Sequence, residues 1–177
     1  MAEVVNVRIG VEPAKEFKGP DLYDLCDATE GAIIDGGGFG WVRPPPRKAL
    51  EAYYRGVLVV PERTLFLARL DGVVCGAAQL VRPMPNNEAQ AFACNLMHSF
   101  VAPWARGHGL ARELTLAVES YARREGFKVL NLDVRETQSA AIKLYESLNY
   151  VRWGKNPKYA LVEGKMITGH HYYKELK

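Results

Sequence analysis

Length, composition and charge limit what kind of protein this is. The 177 residues are 48% hydrophobic, which predicts a single domain, residues 1–177, with one sizeable core. The formal net charge of +3 is small and evenly spread, which argues against nucleic acid as a partner. No apolar run approaches the roughly 20 residues that span a bilayer. The start, MAEVVNVRIG, has no signal-peptide pattern, so we expect no membrane association.

The spacing of cysteine and histidine gives no sign of a metal site or a disulfide framework. The chain has three cysteines, an odd number, and none of them form a C-x-x-C pair: Cys26, Cys75 and Cys94. The four histidines form no zinc-like spacing with them. We therefore expect reduced cysteines that behave as small apolar residues, a cytoplasmic protein and no bound metal.

The first third of the chain predicts a strand and two helices around a glycine loop. Loosely alternating residues at 4–11 indicate the strand. Pro20 and Asp21 open the first helix, and Asp21 is placed to cap it. Residues 35–40, DGGGFG, cannot form regular structure and predict a mobile connection. After three prolines, the second helix carries an apolar stripe of Leu50, Tyr53, Tyr54 and Val57.

The middle of the chain predicts a hairpin, a long strand and a helix. Residues 64–70 are rich in β-forming side chains, Asp71-Gly72 is a hairpin dipeptide, and residues 73–81 return as the partner strand. Residues 91–101 form a long third strand. The helix that follows has an apolar stripe at helical spacing and ends at Gly126; the stripe is Leu110, Leu114, Val118 and Tyr121.

The last third predicts one more helix between strands. Residues 129–134 form a short apolar strand, Thr137 is placed to cap the next helix, and residues 149–153 lead into another strand. A final strand, residues 167–176, follows a Glu-Gly-Lys turn. Because the strands at 91–101 and 129–134 are joined through a helix, they should lie parallel. The pattern predicts an α/β fold with a mixed sheet, antiparallel early and parallel at its centre.

The turn after the long third strand has the features of an anion-binding corner. Pro103 ends the strand, because proline offers no N–H to a ladder. Residues 106–109, RGHG, form the turn, and the helix starts at Leu110. Free N–H groups at a helix start, together with the helix dipole, bind phosphate well. The alternative is an ordinary turn that needs glycine for its backbone angles.

The turn also matches a longer pattern. Residues 106–111, RGHGLA, have the form R-x-x-G-x-A and resemble the pyrophosphate-binding signature of the GNAT superfamily, the acetyl-CoA-dependent N-acetyltransferases. Val101 and Pro103 fit that superfamily's V-x-P-x-x-R-G-x-G run. The resemblance implies acetyl-CoA as co-substrate and no metal. It also implies a GNAT-like single domain: a mixed, mostly antiparallel sheet of about six or seven strands with a parallel central pair, flanked by about four helices.

A second segment strengthens the resemblance. Residues 138–150, QSAAIKLYESLNY, are similar to the superfamily's N-x-x-A-x-x-L-Y-x-x-x-G-F signature, with Gln138 where asparagine is usual and Asn149-Tyr150 for Gly-Phe. The Gln138 amide is placed to bind the pantetheine arm. The implied cofactor-binding residues are Ser99, Phe100, Val101, Arg106, Gly107, His108, Gly109, Leu110, Ala111, Gln138, Ala141 and Tyr145.

Tyr145 matches the tyrosine that the superfamily uses as general acid. When an amine attacks a thioester, a thiolate leaves, and a phenol can donate a proton to its sulfur. The alternative is a core tyrosine, because Tyr145 lies next to Leu144 on an amphipathic helix.

The resemblance also implies an oxyanion site and leaves the base open. In the superfamily, backbone N–H groups stabilise the developing oxyanion where strand 91–101 and the next strand begin to separate, which corresponds to residues 97–101 here. His98 lies on this strand and titrates near neutral pH, so it is a candidate base, with a structural role as the alternative. Tyr53, Tyr54 and Glu88 are weaker candidates without a motif.

The predicted acceptor side is the glycine loop, which shapes the acceptor pocket in the superfamily. Phe39 and Trp41 lie in and beside it, outside any core stripe, and are the predicted substrate-binding residues. We expect transfer of the acetyl group to a primary amine by direct attack in a ternary complex. One compact domain without a recognition module favours a small-molecule amine.

Three questions about function stay open at this point. A protein N-terminus or a lysine is the alternative acceptor. A non-catalytic acyl-CoA-binding or sensing module is the alternative from another functional class, although Tyr145 argues against it. A homodimer is compatible with the sequence.

Overall fold

The computed structural model describes residues 6–37 and 39–177 as seven strands and four helices. Their order is β1 Ile9–Ala14, α1 Asp21–Ile34, α2 Arg47–Val59, β2 Arg63–Leu70, β3 Val73–Val81, β4 Ala93–Val101, α3 Leu110–Arg124, β5 Val129–Arg135, α4 Ser139–Ser147, β6 Val151–Val162 and β7 Lys165–Glu175. Short 3₁₀ turns at Glu88–Gln90 and Pro103–Ala105 precede β4 and α3. No helix in this described part is long and apolar enough to cross a membrane.

The described strands form one sheet, in the order β1-β2-β3-β4-β5-β7-β6. Neighbouring strands are antiparallel except β4 and β5, which are parallel because α3 carries the chain back between them. The predicted α/β fold class, with a mixed, mostly antiparallel sheet, a parallel central pair and four flanking helices, is confirmed.

Two hydrophobic cores lie on opposite faces of the sheet, because side chains along a strand alternate between its faces. On β2, Leu65 and Leu67 pack with α1 and α2, whereas Phe66 and Ala68 pack with α3. The second of these cores also includes Tyr145 of α4. The two signature segments therefore share one face of the sheet, and the helices that flank the glycine loop lie on the other.

The first strand lies later than the predicted residues 4–11. Residues 4–5 are outside the described part of the chain, and β1 begins at Ile9 and continues through Pro13. β1 is an edge strand that pairs with β2 alone. A proline is tolerated there, because its missing N–H can face the unpaired side of the sheet.

The predicted cap of the first helix is wrong. The N-cap position of α1 is Pro20, and Asp21 lies in the first turn. The Asp21 carboxylate accepts a hydrogen bond from the Lys18 N–H at 3.0 Å and forms an ion pair with Arg69 of β2 at 2.8 Å. A partner 48 residues away thus holds the side chain that local spacing predicted as a cap.

The predicted cap of the last helix is wrong as well. The N-cap position of α4 is Gln138, one residue after Thr137. No side chain in the described part of the chain makes a capping bond there. The Gln138 amide instead donates to the Gly36 carbonyl oxygen at 2.7 Å, which connects α4 to the glycine loop.

All three cysteines are free and buried, as predicted. Burial raises the pKa of Cys26 and Cys75 to about 11 and that of Cys94 to about 12, so each stays a neutral thiol. The described residues contain no group of three or more His, Cys, Asp or Glu side chains that could hold a metal ion.

Candidate active site

The turn between β4 and α3 leaves a row of backbone N–H groups free. Gly107 and Gly109 have left-handed backbone conformations, with φ of +83° and +79°, and Gly109 is the N-cap of α3. A Cβ at either glycine would meet no described heavy atom within 4 Å, so the space above them is open. The N–H groups of residues 107–112 have no backbone acceptor in the described part of the chain. This arrangement suits an anion such as a pyrophosphate.

A first cavity, of about 550 Å³, extends from this turn towards α4. It brings together residues of both signature segments: Ser99, Phe100, Val101, Arg106, Gly107, Gly109, Leu110, Ala111, Gln138, Ala141 and Tyr145. The His108 side chain does not line it, and its ring Nδ1 lies 3.1 Å from the Ala105 carbonyl oxygen. The cavity thus combines a basic side chain and free N–H groups with apolar wall residues.

A β-bulge in β4 marks the middle of the site. The register between β3 and β4 shifts so that His98 and Ser99 face a single residue of β3. His98 has φ of +49°, a left-handed conformation that is uncommon outside glycine. β4 pairs with β5 only over residues 93–95, and the two strands separate beyond that point. The strand segment 97–101 therefore borders the opening between the parallel strands.

Tyr145 lies where the first cavity meets a second. Its side chain is buried, and burial raises the pKa of the phenol to about 12, an effect that the neighbouring Ser99 side chain partly offsets. The hydroxyl therefore keeps its proton at neutral pH and can act as a donor.

His98 is half-buried beside aromatic rings. The Phe39 ring stacks on the imidazole with centroids 6.3 Å apart, and the Tyr53 ring meets it edge-on at 6.4 Å. Burial lowers the pKa of His98, nearby Arg63 lowers it further, and Asp133 partly offsets both. The imidazole is therefore mainly neutral at pH 7, the form that accepts a proton.

The second cavity, of about 500 Å³, shares Ser99, Gln138, Ala141 and Tyr145 with the first. Its other walls come from the glycine loop and from β4, β5 and β6, and include Phe39, Val42, Met97, His98, Asp133, Arg135 and Tyr159. Two cavities that meet at one phenol can hold two substrates at one reaction centre.

The two predicted acceptor residues occupy different environments. Phe39, which lies outside any stripe of the sequence pattern, is 3% exposed, packs on Phe100 at 4.8 Å within the core and lines the second cavity. Trp41 is half-buried, meets Tyr53 edge-on at 5.0 Å and lines a separate cavity of about 300 Å³. Gly38, directly before Phe39, lies outside the described residues.

The glycine loop is held at three points by the half of the chain that carries the signatures. Gln138 donates to the Gly36 carbonyl oxygen, and Arg135 donates to the Phe39 carbonyl oxygen. Asp35 forms an exposed ion pair with Arg106 at 2.6 Å. The loop therefore contributes to the walls of both cavities.

The family model for the acetyltransferase (GNAT) family matches residues 25–150. The chain belongs to the GNAT acetyltransferase family. An uncharacterised N-acetyltransferase from the hisH–hisA intergenic region of Azospirillum brasilense is 65% identical to it over 130 residues, 73% of this chain and 77% of that protein. The predicted family and the enzyme class, acyltransferase, are confirmed.

Solved GNAT structures share the fold. An N-acetyltransferase from Staphylococcus aureus Mu50 superposes with a TM-score of 0.82 at 20% identity, over 96% of this chain and 99% of that one. A putative acetyltransferase from Salmonella typhimurium, solved with its cofactor acetyl-CoA, has a TM-score of 0.78 at 18% identity, over 96% and 94% of the two chains. At these identities the likeness concerns the fold.

Three polar residues of the second cavity in this GNAT protein were missed by the sequence analysis: Asp133, Arg135 and Tyr159. Asp133 and Arg135 are two residues apart at the end of β5, directly before the second signature. This spacing places both side chains on the same face of the strand, and it could have been read from the sequence. Tyr159 gave no local signal, because its position depends on how β6 meets its neighbours.

The weaker base candidates differ in their surroundings. Tyr54 is fully buried, and its hydroxyl forms a hydrogen bond with Thr29 at 2.7 Å, a structural role. The Tyr53 hydroxyl accepts a hydrogen bond from Gln79 at 2.9 Å. Glu88 is exposed in the turn before β4 and lines neither the first nor the second cavity.

Proposed function

We propose that this enzyme transfers the acetyl group of acetyl-CoA to a primary amine of a small molecule, with both substrates bound at once. The observation that carries the proposal is the buried, protonated Tyr145 hydroxyl at the boundary of two cavities, one with an anion-binding corner and one without. A ternary complex follows from this arrangement, because each substrate has a cavity of its own.

Acetyl-CoA as substrate supplies an activated thioester. The acceptor nitrogen forms the new C–N bond, the C–S bond breaks, and the electron pair leaves on sulfur. Tyr145 donates its proton to that sulfur. His98 accepts the proton that the amine loses and passes it to water, and Tyr145 recovers a proton, so charge and protons balance over the cycle.

Residues around the β4 bulge would stabilise the oxyanion. Backbone N–H groups in the segment 97–101 border the opening between β4 and β5, where an extended pantetheine arm can pair as if it were another strand. A fixed donor at a developing oxyanion is typically worth about 3–4 kcal/mol of barrier lowering. The row of N–H groups at residues 107–112, with Arg106 beside it, would hold the pyrophosphate.

The size and shape of the second cavity favour a small acceptor. Its volume of about 500 Å³ lies within the range of small-molecule sites. The buried ring of Phe39 and the stacked His98 form one wall, which suits an apolar or aromatic stem next to the reacting amine.

The test is release of free coenzyme A thiol from acetyl-CoA in the presence of a panel of small amines, peptides with free N-termini and lysine peptides. We expect turnover with small amines above the hydrolysis background. Calorimetric binding of acetyl-CoA without turnover by any acceptor would favour the non-catalytic binding module. Turnover with peptides alone would favour the protein acetyltransferase.

A further inference from the structure

A cavity of about 470 Å³ adjoins the second along β5 and β7 and is named the third cavity; it is distinct from the smaller cavity beside Trp41. The two share Leu96, Met97 and Asp133 in their walls. The third cavity is also lined by His171 of β7 and Trp153 of β6. A ligand whose reactive end occupies the second cavity can therefore extend past Asp133 into the third.

Asp133 and Tyr159 form a polar pair at the boundary of these cavities. The Tyr159 hydroxyl donates to Asp133 Oδ2 at 2.8 Å. A register shift in β6 between Asn156 and Ala160 moves Tyr159 out of the regular strand. Gly169 on β7 leaves room for its ring, since a Cβ at that position would overlap Tyr159. The bulge and the glycine together direct the phenol across β7 towards β5.

In the described part of the chain, no basic side chain is close enough to pair with the Asp133 carboxylate. Across residues 6–37 and 39–177, Asp133 takes part in no ion pair within 4.0 Å. Arg135, two residues further along β5, donates to the Phe39 carbonyl oxygen instead. His98, which also lines the second cavity, is mainly neutral because burial lowers its pKa.

Aromatic rings lie near the exposed Asp133 on the side of the third cavity. The His171 ring lies 5.4 Å from the Trp153 ring and 6.0 Å from the Tyr159 ring, measured between centroids. His171 is also the residue directly opposite Asp133 in the pairing of β5 with β7. A free carboxylate beside aromatic faces attracts organic cations through charge and through cation–π interaction.

We propose that Asp133, Tyr159 and Trp153 form a subsite for a second cationic group of the acceptor, so that the preferred acceptors are elongated diamines. One amine reacts beside Tyr145, and the other, as an ammonium ion, binds Asp133. This inference rests on the proposed function and specifies the acceptor class of the same site.

The experiment compares acceptors of equal length. For a series of increasing chain length, each α,ω-diaminoalkane is matched with the alkyl monoamine and with the ω-amino carboxylate. Two quantities are measured for the wild type, Asp133→Asn, Tyr159→Phe and Gly169→Ala. One is kcat/KM for each amine with acetyl-CoA as the acetyl donor, and the other is the direct binding of each amine, measured by calorimetry. Glu163→Gln is the matched control, because it removes one exposed carboxylate at the turn between β6 and β7, and Glu163 lines none of the four cavities.

We expect the wild type to bind and use the diamine better than the monoamine at one preferred length. Asp133→Asn should lower the ratio of kcat/KM for the diamine to kcat/KM for the monoamine by about 10-fold, because one hydrogen bond to a charged group is lost. Most of this change should be a higher KM for the diamine. Tyr159→Phe and Gly169→Ala should lower the ratio by less, because each disturbs the orientation of the carboxylate and leaves its charge. The control should keep the wild-type ratio.

Two results would overturn the subsite. One is wild-type binding of diamine no tighter than monoamine at every length, which calorimetry reports even without turnover. The other is tighter binding of the ω-amino carboxylate, which would assign the recognition to Arg135. A wild type that binds diamines through Asp133 and releases no thiol would instead contradict the proposed function and leave the subsite standing.

Discussion

Tyr145 has two properties that a core tyrosine would not need together. It is 7% exposed and part of the hydrophobic core, yet it lines both cavities, and its hydroxyl interacts with Ser99 at the β4 bulge. Its pKa of about 12 keeps the proton on the phenol, so no alkaline loss of the acid is expected below about that pH.

At the scale of this residue, we expect Tyr145→Phe to lower kcat by roughly 10²–10⁴, the usual contribution of a general acid. The affinity for acetyl-CoA and the melting temperature should hardly change, because the ring and its packing remain. Tyr150→Phe is the matched control: its ring packs on Tyr145 at 5.6 Å in the same core, and it lines neither cavity. Full activity of Tyr145→Phe would remove this hydroxyl from the mechanism.

His98 supports a second prediction at the residue scale. Its pKa is lowered by burial, so protonation should inactivate the base only below the ordinary value of about 6.5. The pH profile of kcat should therefore have an acid limb below pH 6.5. His98→Asn should lose this limb and keep the bulge, since asparagine tolerates the left-handed conformation at φ +49°. An acid limb that persists in His98→Asn would assign the base to another group or to water.

At the scale of elements, α3 lies between two left-handed glycines. Gly109, with φ of +79°, caps its N-terminus at the first cavity, and Gly126, with φ of +87°, follows its C-terminus. The two ends therefore impose the same backbone requirement, and of these two glycines Gly109 alone lines the first cavity.

We expect Gly109→Glu to abolish acetyl-CoA binding, because the side chain would enter the open space above the turn and add negative charge at the proposed pyrophosphate site. Gly126→Glu is the matched control, since it also forces a side chain into left-handed backbone, at a cost of about 1–2 kcal/mol. Calorimetry and thermal melting on both variants separate the two effects. If both variants kept the wild-type affinity for acetyl-CoA, the proposal that the turn at residues 106–109 binds the pyrophosphate would be contradicted.

At the scale of the whole molecule, an ion pair connects α1 to the sheet. Arg69 of β2 donates to both oxygens of Asp21, at 2.8 and 2.9 Å, and Asp21 is 4% exposed. The hydrogen bonds from Arg69 hold the pKa of this carboxyl below its usual value, although burial opposes the shift. The pair joins two elements that are far apart in the chain.

We expect Asp21→Asn to lower the free energy of unfolding by about 2 kcal/mol at pH 7, the range for a hydrogen bond to a charged group. Since the pKa is depressed in the folded state, this contribution is present above the unfolded pKa of about 3.9 and is lost as the pH falls through the folded pKa. Urea unfolding should therefore show a difference between wild type and variant that shrinks below about pH 4.

The control for this prediction is Asp27→Asn. Asp27 is an exposed partner of Arg47, which keeps Glu30 at 3.1 Å when Asp27 is replaced. We expect a change in unfolding free energy of at most about 1 kcal/mol, as for surface pairs generally. An equal loss in both variants would mean that burial of Asp21 does not decide its contribution.

Features that depend on neighbours in the chain could be predicted from the sequence. The glycine turn at residues 106–109 requires left-handed backbone, and the stripe from Leu110 onwards requires a helix, so a strand, a turn and a helix follow in order. The spacing within the two signatures also predicted that Tyr145 and the turn at residues 106–109 would line one site, and both line the first cavity. These are contacts over a few residues, where residue type and period decide the conformation.

Features that depend on how distant strands meet were decided by the tertiary structure alone. The left-handed His98 arises from a register shift between β3 and β4, and the contact of Tyr159 with Asp133 needs both a bulge in β6 and Gly169 on β7. Phe39 is buried because the fold brings its loop against β4. Register and burial are set by pairing between segments that are far apart in the chain, and no local pattern contains that information.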